Sequence, residues 1–205
     1  MPSSLPKSAA LAFIVVMGGV SLLADFTYEG ARSITGPFLA LLGASGAVVG
    51  VVAGLGELVG YGLRLLSGYL TDRTRRYWTI TLIGYAVNLL AVPLLALAGS
   101  WEVAAVLIIV ERVGKAIRVP ARDAMLSHAT SRVGHGWGFG LHEALDQTGA
   151  VLGPLLMAAV LAFRESYQMG FAVLLVPALL ALGLLLLART RFPTPVTLKR
   201  RRPPG

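Results

Sequence analysis

The chain has 205 residues, 56% of them hydrophobic and 14% charged, where soluble domains carry roughly 25% charged residues; this excludes an ordinary soluble fold and a disordered chain. Eighteen Lys and Arg against ten Asp and Glu leave a net charge of +8, which in a membrane protein marks one side of the bilayer rather than a nucleic-acid partner. There is no cysteine, so disulfides, cysteine–zinc sites, iron–sulfur clusters and a thiol nucleophile are excluded.

A spanning helix needs roughly 20 mostly apolar residues, and six stretches qualify. The first starts near Ala10 and continues past Arg32 toward Leu41. The others are Ala44–Leu70, Tyr77–Ala98, Glu102–Val119, Gly136–Phe163 and Gln168–Ala188. Connections are short: Thr71–Arg76, Gly99-Ser100 and Arg164-Glu165-Ser166, with a longer polar one from Pro120 to His135. The reading is an all-α membrane protein with a cytoplasmic N-terminus (1–9), one six-span domain (10–188) and a basic cytoplasmic tail (189–205). With the N-terminus inside, Lys7, Arg73, Arg75, Arg76, Arg118, Arg122, Arg132 and the tail basics fall on the cytoplasmic side, and Arg164 is nearly alone outside. That asymmetry predicts N-in and C-in, in the cell (inner or plasma) membrane. The tail run Lys199–Arg202 reads as an anchor on that side or a contact with anionic lipid, not as a nucleic-acid site.

Ionisable residues within a bilayer are costly and usually face a protein interior or a water-filled cavity. Here Asp25, Glu29 and Arg32 recur at i, i+4 and i+7 on the first span, one face of a helix. Glu57 and Arg64 repeat the spacing on the second. The fourth span carries Glu111, Arg112, Lys115 and Arg118, the last two within reach of the cytoplasmic interface by their long stems. The fifth carries His142, Glu143 and Asp146. At about 1.5 Å per residue, Asp25, Glu57, Arg112 and Asp146 fall near mid-membrane. Salt bridges that only lock the bundle are one reading. A polar cavity for a substrate or protons is the favoured one, since apolar packing would serve a purely structural bundle better. Gly50, Gly54, Gly56, Gly60, Gly62 and Gly68 on the second span, and Gly140, Gly149, Gly153 and Pro154 on the fifth, mark close helix contacts.

Three segments resemble the major facilitator superfamily of secondary transporters. Gly68-Tyr69-Leu70-Thr71-Asp72-Arg73-Thr74-Arg75-Arg76 resembles that family's loop after the second span, G-x-x-x-D-R-x-G-R-R, one residue short and without the second glycine. Arg112-Val113-Gly114 resembles its fourth-span motif, a buried arginine followed by glycine. Gly140, Gly149 and Gly153-Pro154 match its fifth-span pattern, which in the family accompanies proton-coupled antiport. Asp25–Glu29 and Arg118–Ala124 resemble stretches of bacterial members.

The resemblance implies alternating access, with a small-molecule substrate and a proton-coupling carboxylate at Asp25 or Glu29. From the intramembrane charges, Glu57, Arg64, His142 and Asp146 join the same substrate and coupling group, with Arg112 as the counter-charge of the first-span group. Asp72, Arg73 and Arg76 would act on conformational switching. No metal or cofactor is implied. Family members have two six-span halves, and this chain matches one. It is therefore expected to pair with a second copy or with a separate complementary half, the fifth-span glycines against the partner's second span. A fragment of a twelve-span transporter is the alternative.

Two other classes are open to the sequence. His142-Glu143-Ala144-Leu145-Asp146 imitates the H-E-x-x-H of metal hydrolases with Asp in the last place. A non-transporting scaffold or accessory subunit has no need of mid-membrane charges.

Overall fold

The computed structural model describes residues 6–193. Every regular element in that range is helical: α1 (Lys7–Leu41), α2 (Gly46–Thr74), α3 (Tyr77–Leu94, with a 3-10 turn Leu95–Leu97), α4 (Trp101–Thr130), α5 (His135–Arg164), α6 (Tyr167–Val173) and α7 (Leu175–Arg191). The predicted tail begins inside α7, and its Lys199–Arg202 run lies outside the described residues.

Among the described residues, five units are long and apolar enough to cross a bilayer: α1, α2, α3 with its 3-10 turn, α5, and α6 with α7. The last pair reads as one span, interrupted at Leu174. Pro177 explains the break, because it has no N–H to donate to the carbonyl four residues back. The fourth predicted span, α4, has 30 residues but carries Glu111, Arg112, Lys115 and Arg118, so composition does not single it out.

The expected polar connection from Pro120 to His135 is in fact mostly helix. Pro120 sits inside α4, which runs on to Thr130. A proline here should cost a helix about 3 kcal/mol, partly through the carbonyl it leaves without a donor. That carbonyl belongs to Ala116, and the Ser67 hydroxyl of α2 donates to it at 2.7 Å. The Pro120 ring faces Gly68, where a Cβ would meet it at ordinary contact distance. The loop after α2 is likewise shorter than expected. Asp72 and Arg73 lie in the last turn of α2, and the chain reverses at Arg75, in the left-handed region at φ 55°.

α1 is the central strut, packed against α4, α5 and α7. Its contact with α5 is a small-residue seam. Gly18, Leu22, Phe26 and Gly30, four apart on α1, meet Leu145, Gly149 and Gly153, four apart on α5. A side chain at Gly149 would overlap the Leu22 carbonyl, and one at Gly153 the Phe26 carbonyl. This is close backbone approach of the small-xxx-small kind. The expectation that these glycines face a partner's second span is therefore corrected: they are consumed within the chain. At Gly50 and Gly54 of α2 and Gly140 of α5 a side chain would find no neighbour within 4 Å of its Cβ among the described residues.

α3 and α4 approach as closely. Gly114 lies on the Asn88 backbone and Gly84 on the Arg118 backbone. Two apolar cores result, one around Phe13, Met17, Tyr85 and Met125, the other around Phe38, Val92, Met157 and Phe171. The intramembrane charges fall between them. α2 and α5 are the peripheral helices. Only 11% of the apolar window of α2 and 17% of that of α5 are buried, against 50% for α1, so both keep an uncovered apolar face.

Candidate functional site

The charged residues sort into two groups, and the helix packing decides which belongs where. The first lies where α1, α2 and α4 converge. Arg112 donates to Glu57 at 2.6 Å and stands 3.4 Å from Glu111. It also donates to the Tyr28 hydroxyl. Arg32 reaches the same Glu57 oxygen at 3.3 Å and Glu29 at 3.8 Å. Lys115 completes the ring, 4.0 Å from Glu29 and 3.4 Å from the centre of the Tyr28 ring. Such a cation over an aromatic face is held by the ring quadrupole. Glu111 is buried and accepts from Asn88 of α3, which sets it behind Arg112.

This group borders two adjoining cavities. One, of about 360 Å³, runs between α1, α2, α3 and α4, with Leu39, Val52, Val92, Leu95 and Ile108 on its walls and Arg32, Glu57, Glu111 and Arg112 at one end. The other, of about 370 Å³, shares Tyr28, Arg32, Glu57 and Arg112 with the first and adds Tyr61, Arg64 and Lys115. Arg64, seven residues after Glu57 on α2, thus lines the same cavity as Glu57. Its guanidinium lies 4.9 Å from the Tyr61 ring centre.

The second group gathers among α1, α3, α4 and α5, enclosed around Arg118 and open at Asp123. Arg118 is fully buried, 3.4 Å from Asp25 and with its guanidinium 4.3 Å from the Tyr85 ring centre. Arg122 pairs with Asp123 at 2.9 Å and donates to the Ser21 hydroxyl at 3.3 Å. His142 stands 3.3 Å from the same hydroxyl. Asp146 lies beside Asp25, and its buried Oδ1 meets no hydrogen-bond donor among the described residues.

Two expectations change. Arg112 is not the counter-charge of Asp25; it pairs with Glu57 and Glu111, while Asp25 pairs with Arg118. Arg118 does not reach an interface. The close approach of α3 and α4 at Gly84 encloses it, so its side chain has no route outward. Glu111 and Tyr28 are the residues that sequence reasoning undervalued. Glu111 was one of four charges on α4, but nothing local told its buried face from the others. Tyr28 sits between Asp25 and Glu29 in the sequence and turns toward Arg112. His142 and Asp146 are not joined by a third residue into a metal-sized cluster among the described residues. Asp72, Arg73 and Arg76 gather at the end of α2, away from both groups, and Arg73 donates to Tyr69 at 3.0 Å.

Comparison with known proteins agrees with the helical fold. Two crystal structures of a mutant of the peptide transporter POT, one in complex with sulfate, share the fold. Each superposes with a TM-score of 0.77 at 17% identity over 92% of this chain, and 42% or 43% of theirs. Uncharacterised proteins of Mycobacterium tuberculosis and Mycobacterium bovis are 54% identical over 93% of this chain and 47% of their own length. An uncharacterised MFS-type transporter of Methanocaldococcus jannaschii is 33% identical over 70% of this chain and 36% of its own. The chain thus spans about half the length, or less, of the curated relatives it matches. The Major Facilitator Superfamily model matches residues 10–204, and the chain belongs to that superfamily of multi-pass membrane transporters.

Proposed function

We propose that the chain is a six-span half of a secondary active transporter that moves a small molecule by alternating access, coupled to protons. The observation that carries this reading is the ring of Arg32, Glu57, Arg112 and Lys115 along a cavity between apolar helices. Such charges stand where they cost most, and an inert bundle does better with apolar packing. α4 is the remaining span, the fourth in chain order, its charges turned toward the cavity and α3. Both termini lie in the cytoplasm of the cell (inner or plasma) membrane, following the distribution of Lys and Arg.

A second six-span unit completes the carrier, either a copy of this chain or a complementary half. The relatives' double length supports that requirement. The uncovered apolar faces of α2 and α5, with Gly50, Gly54 and Gly140 open along them, are where it docks. The turn at Asp72, Arg73 and Arg76 meets it on the cytoplasmic side and biases the switch.

Proton coupling falls to Asp25 and Asp146. The two carboxyl groups share one site with Arg118 beside Asp25, so a change in that ion pairing can be exchanged for the uptake or release of a proton. Substrate binding at the ring shifts α1 and α4, which carry Asp25 and Arg118, and so changes the affinity for that proton. The test is solute flux in proteoliposomes under an imposed pH gradient. Asp146→Asn imitates the protonated carboxyl and leaves Arg118 paired. It should fold and lose the dependence of flux on the gradient; unchanged coupling would discard the assignment.

A further inference from the structure

The two adjoining cavities differ in lining, and the difference describes a ligand. The larger share of the first wall is aliphatic: Leu39, Val52, Val92 and Ile108. The second is walled by four cations, Arg32, Arg64, Arg112 and Lys115, and a single carboxylate, Glu57. Three of those cations have acidic partners within 4.0 Å, shared among Glu29, Glu57 and Glu111. Arg64 has none among the described residues, and its buried Nε meets no acceptor. An arginine kept in a membrane-spanning helix without a counter-charge is costly, unless an anion arrives to pair with it.

We infer that the transported solute is an amphiphilic organic anion, its carboxylate or phosphate held by Arg64 with Lys115 and Arg112, and its apolar body lying along Val52, Val92 and Ile108. This rests on the transport reading of the same cavity. Guanidinium groups suit such a head because they bind both oxygens at once. Tyr28 and Tyr61 keep the cations oriented from below. From Val49 to Arg64 the two cavities follow 15 residues of α2, roughly 22 Å at 1.5 Å per residue. A head at Arg64 therefore has ample room for a body of one or two rings or a medium chain. A cation would have to displace Arg64 from the site, and a neutral solute would leave it unpaired.

The experiment is calorimetric titration of the full chain in maltoside detergent with three near-isosteric probes: 4-phenylbutyrate, 4-phenylbutylamine and 4-phenylbutanol. Inorganic phosphate serves as a head without a body. The acid should bind at least tenfold more tightly than the amine or the alcohol, and more tightly than phosphate. Arg64→Gln should cost the acid about tenfold and leave the alcohol unchanged, while Arg64→Lys should restore most of the loss. Equal affinity for the amine or alcohol, an Arg64→Gln variant that binds the acid normally, or no binding of any probe would overturn the inference. Competition by phosphatidylglycerol in nanodiscs, against phosphatidylcholine as control, names a lipid as the source of the anion; its absence names a soluble solute, and both keep the anionic assignment. Failure of the transport reading is separate: it would appear as probe binding without proton-linked flux in proteoliposomes.

Discussion

Two groups of membrane charges share α1 and α4 yet live in opposite conditions. Around Glu57 the side chains are open, with Arg32 about half exposed and Glu57 about two-fifths exposed. Around Asp25 they are enclosed, with Arg118 fully buried. The helices that close each group account for the difference. The inner group is covered by α3 and α5, drawn in by glycines that remove every obstacle to backbone contact. The outer group is covered on one side by α2, which packs on α4 and hardly at all on α1. One bundle thus holds a fixed charge pair and an unfinished one, and only the unfinished one has room for a visitor.

The sharpest way to break this contrast is to remove a buried cation. Arg118→Leu leaves Asp25 enclosed without a counter-charge, and breaking a buried pair in this way costs roughly 3–5 kcal/mol. Thermal unfolding in detergent should show a large fall in Tm, and Asp25→Asn added to it should recover a good part of the loss. A smaller effect is expected at the seam that closes the inner group. Gly153→Ala puts a methyl group into the Phe26 carbonyl, and forcing α5 away from α1 should cost roughly 1–3 kcal/mol by the same measurement. The outer group should respond least in stability. Glu57→Gln removes a half-open partner of Arg112 and Arg32, a change of about 1 kcal/mol or less, while solute flux should fall steeply. A Tm loss there equal to that of Arg118→Leu would erase the distinction between the two groups.

Much of this was legible in the sequence. The i, i+4, i+7 run of Asp25, Glu29 and Arg32 identified one helix face, because helical geometry alone sets it. The glycines of α5 announced close packing, but a glycine carries no mark of its neighbour, so α1 could not be told from a partner's second span. Arg118 read as an interfacial residue because depth along a helix says nothing about the helix beside it. Its burial depends on Gly84, 34 positions earlier. Pro120 read as an end of helix because its local effect is to remove a bond. The repair comes from Ser67, 49 residues before the Ala116 carbonyl it serves, and no short window along the chain contains both Ser67 and Pro120. The pairing of Arg112 with Glu57 rather than Asp25 is of the same kind, since both carboxylates lie near one depth and only the placement of α2 selects between them.

The hydrogen bond from Ser67 to Ala116 binds the histories of two positions. A serine in the middle of α2 is tolerable because it has a carbonyl to serve, and that carbonyl is free only because residue 120 is a proline. Replace Pro120 by alanine and the helix reclaims its own acceptor, leaving the serine hydroxyl with only its own helix to turn to. Replace Ser67 alone and the carbonyl stands buried and unserved, a state that costs about 1–3 kcal/mol. Neither substitution has a fixed cost of its own. Each depends on the other, so descendants of this chain should keep both residues or lose both, and the less damaging order is to lose the proline first.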